Sequence, residues 1–286
     1  MTKKTEKPIV KPYSENEWEF FYPPSIDNES VQNEYWNAVE LLDYEDKVAE
    51  KTFKKLISKY PYFIDAYNHL SIAYRNQKMT FESLLTAEKS YNLAKGCLPK
   101  EFKPAKHKLI WACLDNRPFL RACQIYGLEC QYHGNFETAK KVYQENLNYN
   151  KNDNQGIRYL LLEVYFADND IKEARKLIEE YLDDFSIEFK FGDVAIEVLD
   201  GNLEQADKKL KEAIQTNKHF IDEIVKDKHT QPPPHRIPGE PYFDAGIPIG
   251  SIQQAYDHWK RNKKLYSNKK IKEYFKRKKA SAQHSI

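Results

Sequence analysis

Four cysteines, a pair of histidines beside a triple proline, and several dense runs of acid or base are the features of this chain whose types and spacing could do chemistry. Cys97, Cys113, Cys123 and Cys130 show neither CxxC spacing nor a partnered His pattern, so they do not read as a zinc site. Their apolar, helical surroundings predict reduced, buried thiols, since a free Cys packs as a small hydrophobe. His229 and His235 flank Pro232 to Pro234, but no carboxylate or thiolate stands at fixed spacing from them. They read as loop histidines, and no metal is expected. The acidic stretch from Glu173 to Glu180 reads as the solvated face of an amphipathic helix. No phosphate-cradling glycine loop, GxSxG elbow, HExxH or DxDxDG pattern occurs. The expectation is a protein that is not an enzyme and uses no cofactor.

The charge is unevenly spread. Eleven Lys or Arg fall between Lys260 and Lys279 against one acid, Glu273, whereas residues 12–259 hold 30 basic and 41 acidic groups. An acidic body thus bears a basic tail. A helix starting at Ser267 places Ile271, Tyr274 and Phe275 on one side. Lys269, Lys270, Lys272, Lys276, Arg277, Lys278 and Lys279 surround that stripe and are candidate phosphate ligands. Three readings stand: a docked helix with a solvated charged face, nucleic-acid backbone contact driven by counterion release, or contact with an anionic membrane. The run Lys276-Arg277-Lys278-Lys279 also suits nuclear import in a eukaryotic cell.

The elements that would position these groups are helical. The 286 residues include only 9 Gly and 14 Pro, too few turn formers for a many-stranded sandwich or barrel. No stretch approaches the roughly 18 uninterrupted apolar residues of a membrane span. The N-terminus, MTKKTEKPIVKPY, lacks the apolar core of a secretory signal, so a cytoplasmic address is expected. Internal repeats are evident. Gly127, Gly134, Phe136, Ala139 and Tyr143 stand at the spacings of a 34-residue helix-turn-helix. Small residues at 127 and 139 would let two helices cross closely while Tyr143 fills the gap.

Less regular copies follow Ala49, Phe53, Leu56 and Pro61, then Tyr67, Leu70, Tyr74, Ala87, Tyr91, Ala94 and Pro99. Others follow Leu161, Tyr165, Ala174, Ile178 and Tyr181, then Gly201, Ala206, Leu210 and Ala213. The pattern predicts helices over 30–43, 46–59, 63–76, 81–97, 104–114, 117–133, 135–148, 154–167, 170–183, 187–199 and 203–216.

These spacings resemble the tetratricopeptide repeat (TPR). The resemblance implies an all-α, right-handed superhelical solenoid of tandem hairpins, with the first helix of each repeat lining a concave groove. Carried over residue by residue, the groove takes Asp65, Asn68, Ile72 and Arg75, then Arg121, Gln124, Leu128, Gln131 and Tyr132, then Tyr159, Glu163 and Phe166. Arg117, Arg121 and Arg158 are the candidate polar anchors, because a guanidinium offers a fork to a carboxylate and stacks on aromatic rings. The same arginines could instead cap carbonyls or pair with acids between repeats. The Lys and Asn arrangement by which some TPR clamps hold a terminal carboxylate is not reproduced, Ile72 standing at one polar position.

The runs Asn116 to Ala122 and Asn152 to Leu162, with Gly250-Ser251 and Trp259 further on, are similar to bacterial TPR-like relatives of the suppressor-of-tumorigenicity-seven family. That resemblance implies a helical repeat and no reaction.

The layout expected is an irregular arm over 1–27, a solenoid over 28–227, a Pro-rich irregular segment over 228–250 and basic helices over 251–286. Ile237, Tyr242, Phe243, Ile247 and Ile249 suit a segment wrapped on the end of the solenoid. Ser251 reads as an N-cap, followed by Ile252, Ala255, Tyr256 and Trp259 on one capping face. The function expected is an adaptor that holds a protein or peptide in the groove, or alternatively a nucleic-acid-associated protein using its basic tail.

Overall fold

A computed structural model describes residues 6–234 and 246–283. The chain divides into two compact units, Met1–Leu161 and Leu162–Ile286. In the first, strand β1 (Ile9–Pro12) pairs antiparallel with β2 (Trp18–Phe21), Val10 opposite Phe20. Helices α1 (Glu29–Val39), α2 (Asp46–Lys59), α3 (Ile64–Asn76), α4 (Thr80–Lys95), α5 (Arg117–Tyr132) and α6 (Phe136–Tyr149) follow as hairpins. The division falls within α7 (Ile157–Ala167). The second unit continues with α8 (Ile171–Glu180), α9 (Ile187–Asp200), α10 (Leu203–Thr216) and α11 (Phe220–Val225). It ends with α12 (Ile252–Arg261), α13 (Lys263–Tyr266) and α14 (Lys269–Gln283).

The hairpins form where local chemistry favours them. Side chains of Asn28, Asn135, Ser186 and Ser251 accept hydrogen bonds from the third residue onward, satisfying donors that a helix start leaves orphaned. Gly134 and Gly201 reverse the chain at φ 73° and 83°, a left-handed conformation that costs glycine nothing. Ala49, Ala87, Ala139, Ala174 and Ala206, the small residues that recur through the repeats, are all fully buried. Close helix crossing explains the regularity. A Cβ at Gly127 would stand 2.7 Å from Cδ1 of the buried Tyr143 ring, so α5 and α6 approach to a distance only glycine permits.

The structure departs from expectation in three places. The arm over 1–27 contains the β1–β2 hairpin, and Val10, Trp18 and Phe20 are buried in one core with Leu109 and Phe119. Two four-residue strands, the first preceded by Pro8 and ending on Pro12, alternate too briefly to stand out as a pattern. Residues 104–114 form turns rather than a helix, followed by a single 3-10 turn, Leu114–Asn116. Their backbone groups are engaged elsewhere: Trp18 N–H donates to Lys108 O at 2.8 Å, Lys108 N–H to Asn16 O at 2.7 Å, and Leu109 N–H to Tyr149 O at 3.0 Å. Buried Asn116 completes this clasp, accepting from Phe20 N–H at 2.9 Å and donating to Trp18 O at 3.1 Å. Finally, α11 was not anticipated, and the last helix begins at Lys269, with α13 before it.

His235, Ile237, Tyr242 and Phe243 lie outside the described residues. His229 to Pro234 contains no helix, as its prolines require. The His229 ring stacks on Trp259 with centroids 3.5 Å apart, and Gln253 Nε2 donates to Pro233 O at 2.8 Å.

Candidate partner-binding face

Helices α3 and α5 pack side by side and are cross-linked by two ion pairs. Arg121 grips Asp65 with both arms of its guanidinium, the Nε arm reaching Oδ1 at 2.9 Å. Arg75 grips Glu129 in the same way, Nε to Oε1 at 3.0 Å. Burial alone would push the Asp65 carboxyl up, but the Arg121 guanidinium outweighs it, and the group is held below its ordinary value. For Arg121, burial acts against the charged form and Asp65 overcomes it, so its pKa is raised. The two shifts agree on a charged pair.

Polar neighbours complete the site. Asn68 Nδ2 donates to Asp65 Oδ1 and to Pro118 O, each at 3.0 Å, and the Ser90 hydroxyl donates to Asn68 Oδ1 at 2.6 Å. Asn68, expected on the partner face, is therefore wholly buried and locks α3, α4 and α5 together. A carboxamide placed between three helices is worth more as a satisfied core bridge than as a surface contact.

The arginines are the exposed halves of these pairs. Arg121 and Arg75 side chains are 23% and 25% exposed, against 6% for Asp65 and 7% for Glu129. Arg117 differs from both. Its Nε donates to Trp111 O at 3.2 Å and its guanidinium lies 4.9 Å from the Trp111 ring, with no carboxylate paired to it among the described residues. Arg75 stacks at 3.6 Å on Tyr132, which is 65% exposed, and Leu128 one turn earlier is 39% exposed. Gln124 accepts from Gln155 Nε2 at 2.9 Å, and Gln131 accepts from the Tyr143 hydroxyl at 2.9 Å. Trp111, the platform under Arg117, lies in the stretch expected to be helical, so repeat register did not point to it.

Arg158 and Glu163 are engaged internally. Arg158 Nη1 donates to Asp153 at 2.9 Å and its guanidinium lies 4.3 Å from the Tyr159 ring. Asp153 also accepts from Ile157 N–H at 2.6 Å and Arg158 N–H at 3.0 Å, so this pair anchors the start of α7. In the second unit, Glu163 is held by Arg261 of α12, which also reaches Glu188 at 3.2 Å and Asp257 at 2.9 Å. Only the i,i+4 spacing of Asp257 and Arg261 signalled any of this network in the sequence.

The basic tail is docked. Ile271, Tyr274 and Phe275 are at most 1% exposed, and the Tyr274 hydroxyl donates to Asp207 at 2.7 Å. Lys278 pairs with Asp207, Lys279 with Asp222 at 2.7 Å, and Lys272 and Lys276 with Asp227 at 3.4 and 3.9 Å. Lys269 lies 3.9 Å from Glu273, while Lys270 and Arg277 carry no ion pair among the described residues.

Burial pushes the Cys97 and Cys130 thiols up to about 11. Among the described residues, no group of three or more His, Cys, Asp or Glu side chains could hold a metal ion.

The family model described as transcriptional repressor TCF25 matches residues 18–285. The chain belongs to that family. The match takes in the β2 strand, every helix and the basic tail, so the two units described above are both parts of a TCF25 architecture. The family found is not the suppressor-of-tumorigenicity-seven group that the runs at 116–122 and 152–162 resemble. No curated protein matches the chain.

One solved structure supports the same fold, and a second shows similarity alone. A putative kinesin light chain of Podosopora anserina with nearly identical TPR-like repeats is similar at 12% identity and a TM-score of 0.50, over 68% of this chain and 96% of that one. YrrB, a TPR protein with an unusual peptide-binding site, is 16% identical over 67% of this chain and 90% of its own, with a TM-score of 0.48. This TCF25-family chain is thus an all-α, TPR-like helical-repeat protein, and no described helix is long and apolar enough to cross a membrane.

Proposed function

We propose that the chain is a non-catalytic adaptor that holds a protein or peptide partner on the α3–α5 face and serves transcriptional repression by bringing that partner to others. The observation that carries this reading is the exposed stripe of Leu128 and Tyr132 beside Arg75, Arg117 and Arg121, on the helices that line the groove in TPR-like folds. Aromatic and arginine side chains are the ones that carry most binding energy at protein interfaces. Asn68 and Glu163 belong to the support of the fold in this reading, and the partner contacts fall to Arg117, Leu128 and Tyr132 with Arg75 and Arg121 beneath them. The test is capture of partners from the native cell by the tagged chain, compared with a Leu128→Glu/Tyr132→Ala variant of equal melting temperature. Equal capture by both would reject the reading.

A second reading is favoured by one observation. Lys260, Lys263, Lys270 and Arg277 are exposed and make no ion pair among the described residues, and the family description names a repressor. These cations would contact nucleic-acid phosphate, with Lys272, Lys276, Lys278 and Lys279 spending their charge on the protein's own acids. Binding of duplex DNA that falls steeply with added salt supports it; binding insensitive to salt rejects it.

A further inference from the structure

We infer that Ser281 is a phosphorylation site for a kinase that selects basic residues, and that its phosphate is held by Arg277. Ser281 closes the run Arg277-Lys278-Lys279-Ala280-Ser281, in which a block of cations and one small residue precede a hydroxyl. It is exposed near the end of α14, and its hydroxyl donates to Arg277 O at 3.1 Å. A serine that bonds back to the carbonyl four residues earlier loosens the helix it sits in. The core residues of α14, Ile271, Tyr274 and Phe275, all precede the run, so its last turn can open while the helix stays docked. Opening breaks only the pairs of Lys278 with Asp207 and Lys279 with Asp222, which are partly exposed and hold little energy. Ser58 and Ser267 also follow paired lysines, Lys54-Lys55 and Lys263-Lys264, and are exposed. Buried Leu56 stands before the first and buried Leu265 and Tyr266 before the second, so threading either into a kinase cleft would pull core residues out.

The charge arrangement gives the phosphate a partner. Arg277 lies one turn before Ser281 on the same helix face, exposed and without an ion pair among the described residues. A phosphoserine brings about −1.5 to −2 charges and three acceptor oxygens, which a guanidinium fork meets two at a time. In the transfer, the Ser281 hydroxyl oxygen bonds to the γ-phosphorus of ATP and the bond to the bridging oxygen breaks. ADP leaves, and the hydroxyl proton passes to the catalytic carboxylate of the kinase. One consequence rests on the nucleic-acid reading: the phosphate withdraws Arg277 from the exposed cations and sets a like charge against a nucleic-acid backbone.

The full chain, incubated with magnesium ATP and the catalytic subunit of cyclic-AMP-dependent protein kinase, tests the site, with the phosphorylated residue located by peptide mass spectrometry. Ser281 is expected to take the phosphate, and Lys278→Ala/Lys279→Ala to slow its labelling about tenfold. The phosphorylated chain is expected to melt with the unmodified one. Phosphate on Ser58 or Ser267 with Ser281 unmodified would overturn the site, as would a labelled 274–286 peptide beside an unlabelled full chain. The phosphorus-31 resonance followed against pH reads the Arg277 contact. The second ionisation of the phosphate is expected at lower pH than in Arg277→Ala phosphorylated the same way, and identical titrations would overturn the contact. Binding of duplex DNA is expected to weaken about tenfold on phosphorylation. Unchanged binding would overturn that consequence, and no DNA binding by either form would reject the nucleic-acid reading and leave the site standing.

Discussion

Tyr143 on α6 fills the space that any side chain at Gly127 on α5 would need. The pair fixes how closely the two helices of the most regular repeat cross. A Gly127→Ala change gains about 1 kcal/mol in helix propensity, yet it drives a methyl group into a buried ring whose hydroxyl is tied to Gln131 at 2.9 Å. Overpacking wins, and net destabilisation of roughly 2 kcal/mol is expected in urea unfolding. A variant as stable as the parent would remove the close crossing from the account.

Arg121 should behave as a structural residue. Replacing it by alanine leaves Asp65 buried without its partner, at a cost of about 3–5 kcal/mol. Thermal melting checks this directly. A melting temperature within error of the parent would mean that the Asp65 pair contributes nothing.

His258 predicts a pH dependence. Its buried ring shares a hydrogen bond with the Tyr266 hydroxyl at 3.0 Å, and burial, helped by the Arg261 charge, pushes its pKa down to about 3. The unfolded chain titrates near 6.5, so it binds a proton there that the folded chain refuses. Stability from this group is complete above about pH 6.5 and is lost as pH falls toward 3, by at most about 1.4 kcal/mol per pH unit. Melting between pH 7.5 and 5 should therefore fall more in the parent than in His258→Gln. Parallel curves would contradict the burial.

Removing α14 should destabilise the second unit, because Ile271, Tyr274 and Phe275 are core residues. Phe275→Ala alone is expected to cost about 3–5 kcal/mol. Lys270→Ala, at an exposed position without an ion pair among the described residues, should leave melting unchanged. A truncated chain that melts with the parent would make the tail an appendage.

The repeat register was legible because it depends on residue size at fixed spacing, and Ala49, Ala87, Ala139, Ala174 and Ala206 all lie buried where spacing put them. The β1–β2 hairpin and the turns over 104–114 were not legible, because their backbone partners lie far away in sequence, as between Trp18 and Lys108. The same limit governs the candidate site. Arg75 and Arg121 could be placed on the first helices of their repeats, but Glu129 and Asp65 are 54 and 56 positions away. Local patterning says which face a side chain occupies and is silent on the acid that meets it there.

The central claim is that exposed Leu128 and Tyr132 bind a partner while the arginine pairs beneath them hold α3 to α5. Melting and partner capture measured together on Leu128→Glu/Tyr132→Ala and on Arg121→Ala test it most directly. The account predicts that the first variant melts with the parent and loses capture by tenfold or more. It predicts that the second melts lower and, where folded, still captures. A surface variant that captures as well as the parent, or an Arg121→Ala chain that keeps its stability and loses capture, would contradict it.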